Sequence, residues 1–314
     1  MPAQRSYTPY DNVMFNLPGP VGDVYFVDPT SGHNDFGGRS RSRAFETLAA
    51  AEDACTAGQH DTVVLSNFAW AELTETLTWD KDYTHLIGLC APTGVAQRAR
   101  IQQELSAFNV SPLLDITASG CIFKDFYIFQ GPDDVGSLIN VSVAGGRNYF
   151  ENVHFAGSGH NTIAINGGAS LQLLGDENRF VHCTIGVDTT EHATGCTNIL
   201  FTGAAEESCR NEFYNCTSIL WATDANVFHV EVTDNGAIQR YNIFRHCLFL
   251  NFGGTSIDTV FEVGAAVTGW MLLDDCWSHG ADDWNDSDGG HVIGNGDVMT
   301  PGGVAGQLLA TIVL

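Results

Sequence analysis

A short phrase recurs along the chain at near-constant spacing, and it limits the fold to few architectures. It reads Asn148-Tyr-Phe150-Glu-Asn-Val153-His-Phe155, then Asn178-Arg-Phe180-Val-His-Cys183-Thr-Ile185. It returns as Asn211-Glu-Phe213-Tyr-Asn-Cys216 and as Asn242-Ile-Phe244-Arg-His-Cys247-Leu-Phe249. Degenerate copies flank these, Phe123-Lys-Asp-Phe126-Tyr-Ile128 before and Leu273-Asp-Asp-Cys276 after. The slot three residues after the phenylalanine or leucine (Phe126, Val153, Cys183, Cys216, Cys247, Cys276) recurs at intervals of 27, 30, 33, 31 and 29 residues. A period of this size, built from short strands, means stacked coils that bury one continuous core.

Within the phrase, phenylalanine and cysteine are three apart, so strict strand alternation breaks once between them. A bend there turns both side chains inward. The asparagine two residues before the phenylalanine (Asn148, Asn178, Asn211, Asn242) suits a corner, because asparagine tolerates left-handed backbone. Stacked identical corners also let amide side chains bond along the column. Before each phrase comes a first strand, predicted at 113–116, 138–141, 162–165, 198–201, 228–232 and 260–263. Parallel coils bury both strand edges, which accounts for apolar strands with little helix. Each inward Phe or Ile stabilises by roughly 1.5–3 kcal/mol.

The ends differ from this pattern. Residues 1–20 form a polar arm punctuated by Pro2, Pro9, Pro18 and Pro20, ordered only where a partner chain or neighbouring subunit holds it. A strand is expected at 24–27, followed by a turn-rich loop and the basic patch Arg39-Ser-Arg41-Ser-Arg43. One helix is predicted over 44–57, where Phe45, Leu48, Ala49, Glu52 and Cys55 fit the period and Gly58 ends it. It would cover the open end of the first coil. Strands follow at 62–65, 75–79 and 85–88. The repeat stops near His279. An acidic loop at 281–290 and an apolar tail at 306–314 remain, the tail needing cover from the last coil or another subunit. The expected organisation is an arm (1–20), a solenoid (21–280) and a C-terminal loop and tail (281–314).

Charge narrows the partners. The 314 residues carry 37 Asp and Glu against 13 Lys and Arg, a net charge of −24, and Lys81 and Lys124 are the only lysines. Such a surface repels nucleic acid and anionic membrane, so neither is an expected partner. It also resists non-specific association, which suits a particle exterior. Residues 1–20 lack an apolar signal-peptide core, and no run reaches the roughly 18 apolar residues of a membrane span. Synthesis in the cytoplasm is expected. Nine cysteines contain no CxxC and no zinc spacing. Those in the repeated slot stack at about 4.8 Å, within disulfide reach, but reduced, packed thiols suit a buried ladder better.

The period, the helical lid and the stacked Asn and Cys/Val slots resemble the pectate-lyase-like superfamily over residues 21–280. That resemblance implies an all-β, single-stranded right-handed parallel β-helix with an N-terminal capping helix and extended terminal arms. It is specific for fold and weak for activity. The opening also resembles tailed-phage virion structural proteins, with its strand at 24–27, Gly37-Gly38, helix, and Asp61-Thr-Val-Val64 strand. The ending Gly294-Asn-Gly-Asp-Val298 through Pro301-Gly-Gly303 is of the same kind.

Candidate chemistry was sought on the outward positions. Polygalacturonase-like enzymes of this fold use Asn-Thr-Asp, Asp-Asp, His-Gly and Arg-Ile-Lys motifs on successive coils. Here Asp274-Asp275, Asp282-Asp283 and His279-Gly280 occur out of order and within one coil, and the other two motifs do not occur. Asp274 and Asp275 could supply a carboxylate pair for glycoside hydrolysis, but solvated turn acids are the simpler reading. Pectate lyases of this fold need stacked acids for calcium and a basic residue. The outward columns read Lys124, Glu151, Val181, Tyr214, Arg245, Asp274 and Asp125, Asn152, His182, Asn215, His246, Asp275. Neither column is continuously acidic, and His182 and His246 sit two coils apart, too far for one metal. The loop Asp282-Asp-Trp-Asn-Asp-Ser-Asp-Gly-Gly290 offers oxygen ligands without EF-hand spacing. Arg39, Arg41 and Arg43 suit acidic surface on a neighbouring subunit better than phosphate. Trp221, Trp270, Trp277 and Trp284 could form a sugar-stacking platform, against a default of packing.

No catalytic residue, cofactor or metal is therefore assigned. The expected function is a non-enzymatic virion surface protein, a capsid decoration or cement protein or a spike subunit. Its expected partners are further copies of itself, as a trimer, the major capsid protein and a host surface glycan. The alternatives are a tailspike-type polysaccharide depolymerase, lyase or hydrolase, and a carbohydrate-binding module.

Overall fold

The chain winds through three parallel sheets that run the length of a solenoid. The structure, a computed structural model, describes residues 22–66, 69–203, 208–233, 237–264, 267–285 and 291–294. The expected arm at 1–20, the tail at 306–314 and residues 286–290 of the acidic loop lie outside the described residues. The first sheet has ten strands, from Val24–Val27 and Thr62–Leu65 through Tyr149–Glu151, Arg179–Val181 and Glu212–Tyr214 to Trp270–Asp274 and Val292–Ile293. The second has nine, from Trp70–Leu73 to Trp277–His279, and the third eight, from Leu77–Trp79 to Ala281–Asn285. Each coil visits the sheets in that order, and equivalent residues pair in register: Phe150 with Phe180, Thr217 with Leu248, Val230 with Phe261.

The recurring phrase builds the core of the stack. Phe123, Phe150, Phe180, Phe213 and Phe244 are fully buried in one column. Successive ring centroids lie 4.9, 4.6, 4.5 and 4.5 Å apart, with the planes 5–11° from parallel. This column exists because the rung spacing of parallel strands matches the thickness of stacked rings. Cys183, Cys216, Cys247 and Cys276 are buried and reduced beside it. At the last described coil Trp284 turns inward and meets Phe249 edge-on at 6.0 Å and 89°.

The asparagines form a hydrogen-bonded ladder. Asn148 Oδ1 accepts from Cys121 N–H at 2.8 Å, Asn178 Oδ1 from Asn148 N–H at 2.9 Å, Asn211 Oδ1 from Asn178 N–H at 2.8 Å and Asn242 Oδ1 from Asn211 N–H at 3.0 Å. Their Nδ2 groups donate to Ala118, Gly145, Gly175 and Ser208 carbonyls of the coil before. Left-handed backbone, expected at these asparagines, is instead found beside them, at Arg147, Glu177 and Arg210 (φ 57–59°). It also marks the bend between phenylalanine and cysteine, at Asp125, Asn152, His182, Asn215, His246 and Asp275 (φ 52–60°). The asparagine is selected for its amide, and the bend alone turns the chain from the first sheet to the second.

Three local expectations need correction. The helix spans Leu48–Ala54 rather than 44–57, with Thr47 Oγ1 accepting from Ala50 N–H. Phe45 is withdrawn from it because its backbone bonds the edge strand: Phe45 N–H donates to Phe26 O at 2.8 Å and Asp28 N–H to Phe45 O at 2.9 Å. Leu48 and Ala51 still pack the helix onto the first coil. The strand expected at 162–165 lies at Ala169–Leu173, where Ala169 registers with Ile139. Residues 162–165 form a turn whose Ile163 and Ala164 N–H groups donate to His160 O. Residues 281–285, taken as loop, form the strand Ala281–Asn285 against Ile257–Val263.

Candidate functional site

Each sheet presents a different outer face. On the first sheet the charged columns pair with themselves. Lys124 Nζ meets Glu151 Oε1 at 2.7 Å, and Glu212 lies between Arg179 at 3.0 Å and Arg245 at 3.6 Å. Arg245 also reaches Asp274 at 4.0 Å, and Glu177 is bracketed by Arg147 and Arg210. The edge-on ring of Tyr214 separates His182 from His246. Among the described residues no three potential metal ligands converge.

The expected candidates disperse across this frame. Asp274 faces Arg245, whereas Asp275 sits at the left-handed bend and bonds His246 Nδ1 at 3.1 Å. Asp282 accepts from Ser256 Oγ at 2.7 Å, and Asp283 registers with Thr259 on the third sheet. His279 is exposed, with Phe252 6.5 Å away. Arg39 is already used within the chain, paired with Asp23 and lying over the Tyr25 ring at 4.6 Å, and Arg43 lies over Phe36 at 5.3 Å. Arg41 stands exposed on the turn Arg41–Arg43. The four tryptophans do not share a surface. Trp284 is buried and Trp270 packs on His291 at 5.5 Å, leaving Trp221 and Trp277 exposed on the second sheet.

The second sheet has a mostly uncharged outer face, with Glu72, Arg100 and Glu191 as its charged members. One outward column runs Trp70, Arg100, Tyr127, His154, Thr184, Thr217, Leu248, Trp277. At its near end Arg100 lies over Trp70 at 4.7 Å, and Tyr127 stacks on Phe129. At its far end the apolar side chains are open to solvent: Trp277 is 64% exposed, Phe252 49%, Trp221 41% and Leu248 39%.

The third sheet carries a carboxylate pair. Its outward column reads Asp115, Ser142, Gln172, Leu200, Glu231, Glu262. Glu231 and Glu262 are in register on neighbouring coils, with backbones about 4.8 Å apart. Burial raises the Glu231 pKa, and the Glu262 charge raises it further. A carboxyl with a raised pKa beside a second carboxyl is an arrangement that general acid–base chemistry uses. The sequence signal for this pair is Val230-Glu-Val232 and Phe261-Glu-Val263 in the same slot of consecutive coils. The signal lies away from the phenylalanine-flanking columns, on the strand that precedes each phrase.

A buried polar seam closes the inventory. Ser218 Oγ lies 2.7 Å from His229 Nδ1 and accepts from Asn198 Nδ2 at 2.8 Å. Burial, aided by His192, pushes the His229 pKa down to about 3, and burial holds His154 and His192 at about 4. The Ser218 and His229 side chains are both enclosed in the wall, so the pair packs rather than reacts.

No family model matches the chain, and no curated protein matches it. Solved structures do. A rhamnogalacturonan lyase superposes with a TM-score of 0.54 at 14% identity, covering 82% of this chain and 68% of its own. A pectin methylesterase from Aspergillus niger gives 0.54 at 12% identity, covering 94% and 93%. A pectate lyase gives 0.54 at 15% identity, covering 81% and 62%. At these identities the likeness establishes the fold, a pectate-lyase-like right-handed parallel β-helix.

Proposed function

We propose that the chain is a non-enzymatic surface protein of a tailed-phage particle, a capsid decoration or spike subunit that assembles as a homotrimer. Its neighbours there would be virion proteins such as the major capsid protein. The observation that carries this reading is the open apolar end of the second-sheet face, formed by Trp221, Leu248, Phe252 and Trp277. On a chain of net charge −24, a neutral aromatic strip is where another protein can approach without like-charge repulsion. Self-paired ladders on the first sheet add stiffness and leave its charges engaged. Sedimentation tests the reading: Trp277→Asp with Leu248→Asp turns the oligomer into monomers. A wild-type protein that is monomeric across the micromolar range sinks it.

A second reading rests on Glu231 and Glu262. In a glycan-degrading tailspike, this pair would act as acid and base on a polysaccharide laid across the third sheet. The structural neighbours act, by name, on pectin, pectate and rhamnogalacturonan. Against it, net charge −24 repels polyanionic pectate. Incubation with host capsule and pectic glycans discriminates. Chain cleavage by wild type that is lost in Glu231→Gln and Glu262→Gln favours the enzyme over the scaffold. Retention on a glycan array without turnover favours a carbohydrate-binding module.

A further inference from the structure

The cysteine column carries chemistry beyond its packing and its thiol–carbonyl hydrogen bonds. Cys183, Cys216, Cys247 and Cys276 fill one slot on four consecutive coils. Registered neighbours flank the slot on both sides, Val181, Tyr214, Arg245 and Asp274 before it and Thr184, Thr217, Leu248 and Trp277 after it. The backbone is bonded from coil to coil at the slot itself. Thr217 N–H donates to Cys183 O, Leu248 N–H to Cys216 O and Trp277 N–H to Cys247 O, each at 2.9 Å. Consecutive thiols therefore repeat at the strand spacing, about 4.8 Å, and Cys216, Cys247 and Cys276 Sγ each lie 3.4 Å from the carbonyl oxygen of the phenylalanine one coil earlier, Phe180, Phe213 and Phe244.

We propose that this column binds a soft monovalent d10 metal ion, copper(I) or silver(I), in linear two-sulfur coordination between consecutive cysteines centred on Cys216 and Cys247. A metal–thiolate bond is about 2.3 Å, so a linear sulfur–metal–sulfur unit spans roughly 4.6 Å. That length fits the rung spacing without moving the coils. Zinc is excluded by the same geometry, because four tetrahedral ligands cannot come from sulfurs in a line. Hard cations are excluded by ligand type, since they take oxygen, whereas thiolates select soft ions.

Two thiols and one monovalent ion give a bis(thiolate)–metal unit, releasing two protons to solvent and leaving one negative charge on the site. Cys276, on the last of the four coils, is the least buried of the set and marks the side of entry.

The test uses the reduced full-length chain with silver(I) alone, and separately with copper(I) supplied against a chromogenic copper(I) chelator. Native mass spectrometry counts bound ions, and X-ray absorption reads their coordination. Wild type is expected to hold at least one ion with two sulfurs in line. The double variant Cys216→Ser, Cys247→Ser should bind at least tenfold more weakly, because its remaining column thiols are three rungs apart. Cys90→Ser, which removes a half-buried thiol bonded to Asp125 O elsewhere, should bind as wild type does. Absence of uptake by wild type overturns the proposal. So does uptake retained in the double variant, uptake lost in Cys90→Ser, or a shell of three or more ligands. If the double variant does not fold, the coordination read on wild type still decides.

Discussion

The rings of Phe180 and Phe213 lie 4.5 Å apart and 5° from parallel, each also stacked on a further phenylalanine along the solenoid. No ring in the middle of this column can be removed without orphaning two others. Phe213→Ala is expected to cost about 3–5 kcal/mol, and Phe213→Leu, which keeps most of the volume, about 1–2 kcal/mol. Urea unfolding followed by circular dichroism checks both. Equal losses for the two variants would mean that ring stacking and volume do not govern this site.

Asn211 clamps two coils. Its Oδ1 takes Asn178 N–H and its Nδ2 serves Gly175 O, all in the core. Asn211→Ala leaves the Asn178 N–H buried without its acceptor, while Gly175 O keeps Ser208 Oγ as donor, and should cost about 1–3 kcal/mol. Asn215 is the contrast. It is exposed at the left-handed bend with φ 52°, so Asn215→Gly should change stability by less than about 0.5 kcal/mol. A neutral Asn211→Ala would remove the ladder from the account of stability.

The difference between those two asparagines also shows what was legible beforehand. Both occupy repeated slots, and the repeat alone gave the stack, the inward Phe and Cys, and the amide ladder. Which slot needed left-handed backbone was not legible, because asparagine suits both a hydrogen-bonded corner and a positive φ. Phe45 was placed in the helix because its periodicity fits, and tertiary pairing with the Val24–Val27 edge overrode that fit. The second-sheet face could not be seen without register, since its exposed members come from separate coils. Glu231 and Glu262 share one slot and were within reach of sequence, but the raised pKa depends on burial that only the folded wall supplies.

Buried histidines set the acid limit. The folded-state values of His154 and His192, about 4, and of His229, about 3, lie below the unfolded value near 6.5. Above pH 6.5 both states are neutral and these groups contribute no pH dependence. As pH falls from 6.5 toward 4 the unfolded chain takes up protons first, so stability declines. The loss amounts to up to about 3 kcal/mol per histidine. His229→Asn, which keeps a hydrogen-bonding side chain toward Ser218 Oγ, should flatten the fall in urea midpoint over that interval. An unchanged slope would contradict burial as its origin.

Glu231 works in the opposite direction. Its folded pKa is raised, so its contribution is intact at low pH and declines as pH rises through that value. Glu262→Gln removes the like charge and leaves the burial. The variant should therefore gain stability over wild type between pH 4 and 7, by about 0.5–1 kcal/mol. Carboxyl carbon NMR should show Glu231 titrating lower in the variant. A Glu231 midpoint that does not move would mean that the two carboxylates do not sense each other.

The proposed virion surface role rests on the exposed strip of Leu248 and Trp277. Quantitative mass spectrometry of purified phage particles from a lysate expressing the gene measures this directly. A fixed copy number per particle, in a multiple of three relative to the major capsid or tail protein, is the expected result. Particles that lack the chain, with all of it recovered as unassembled protein, would contradict a virion surface role.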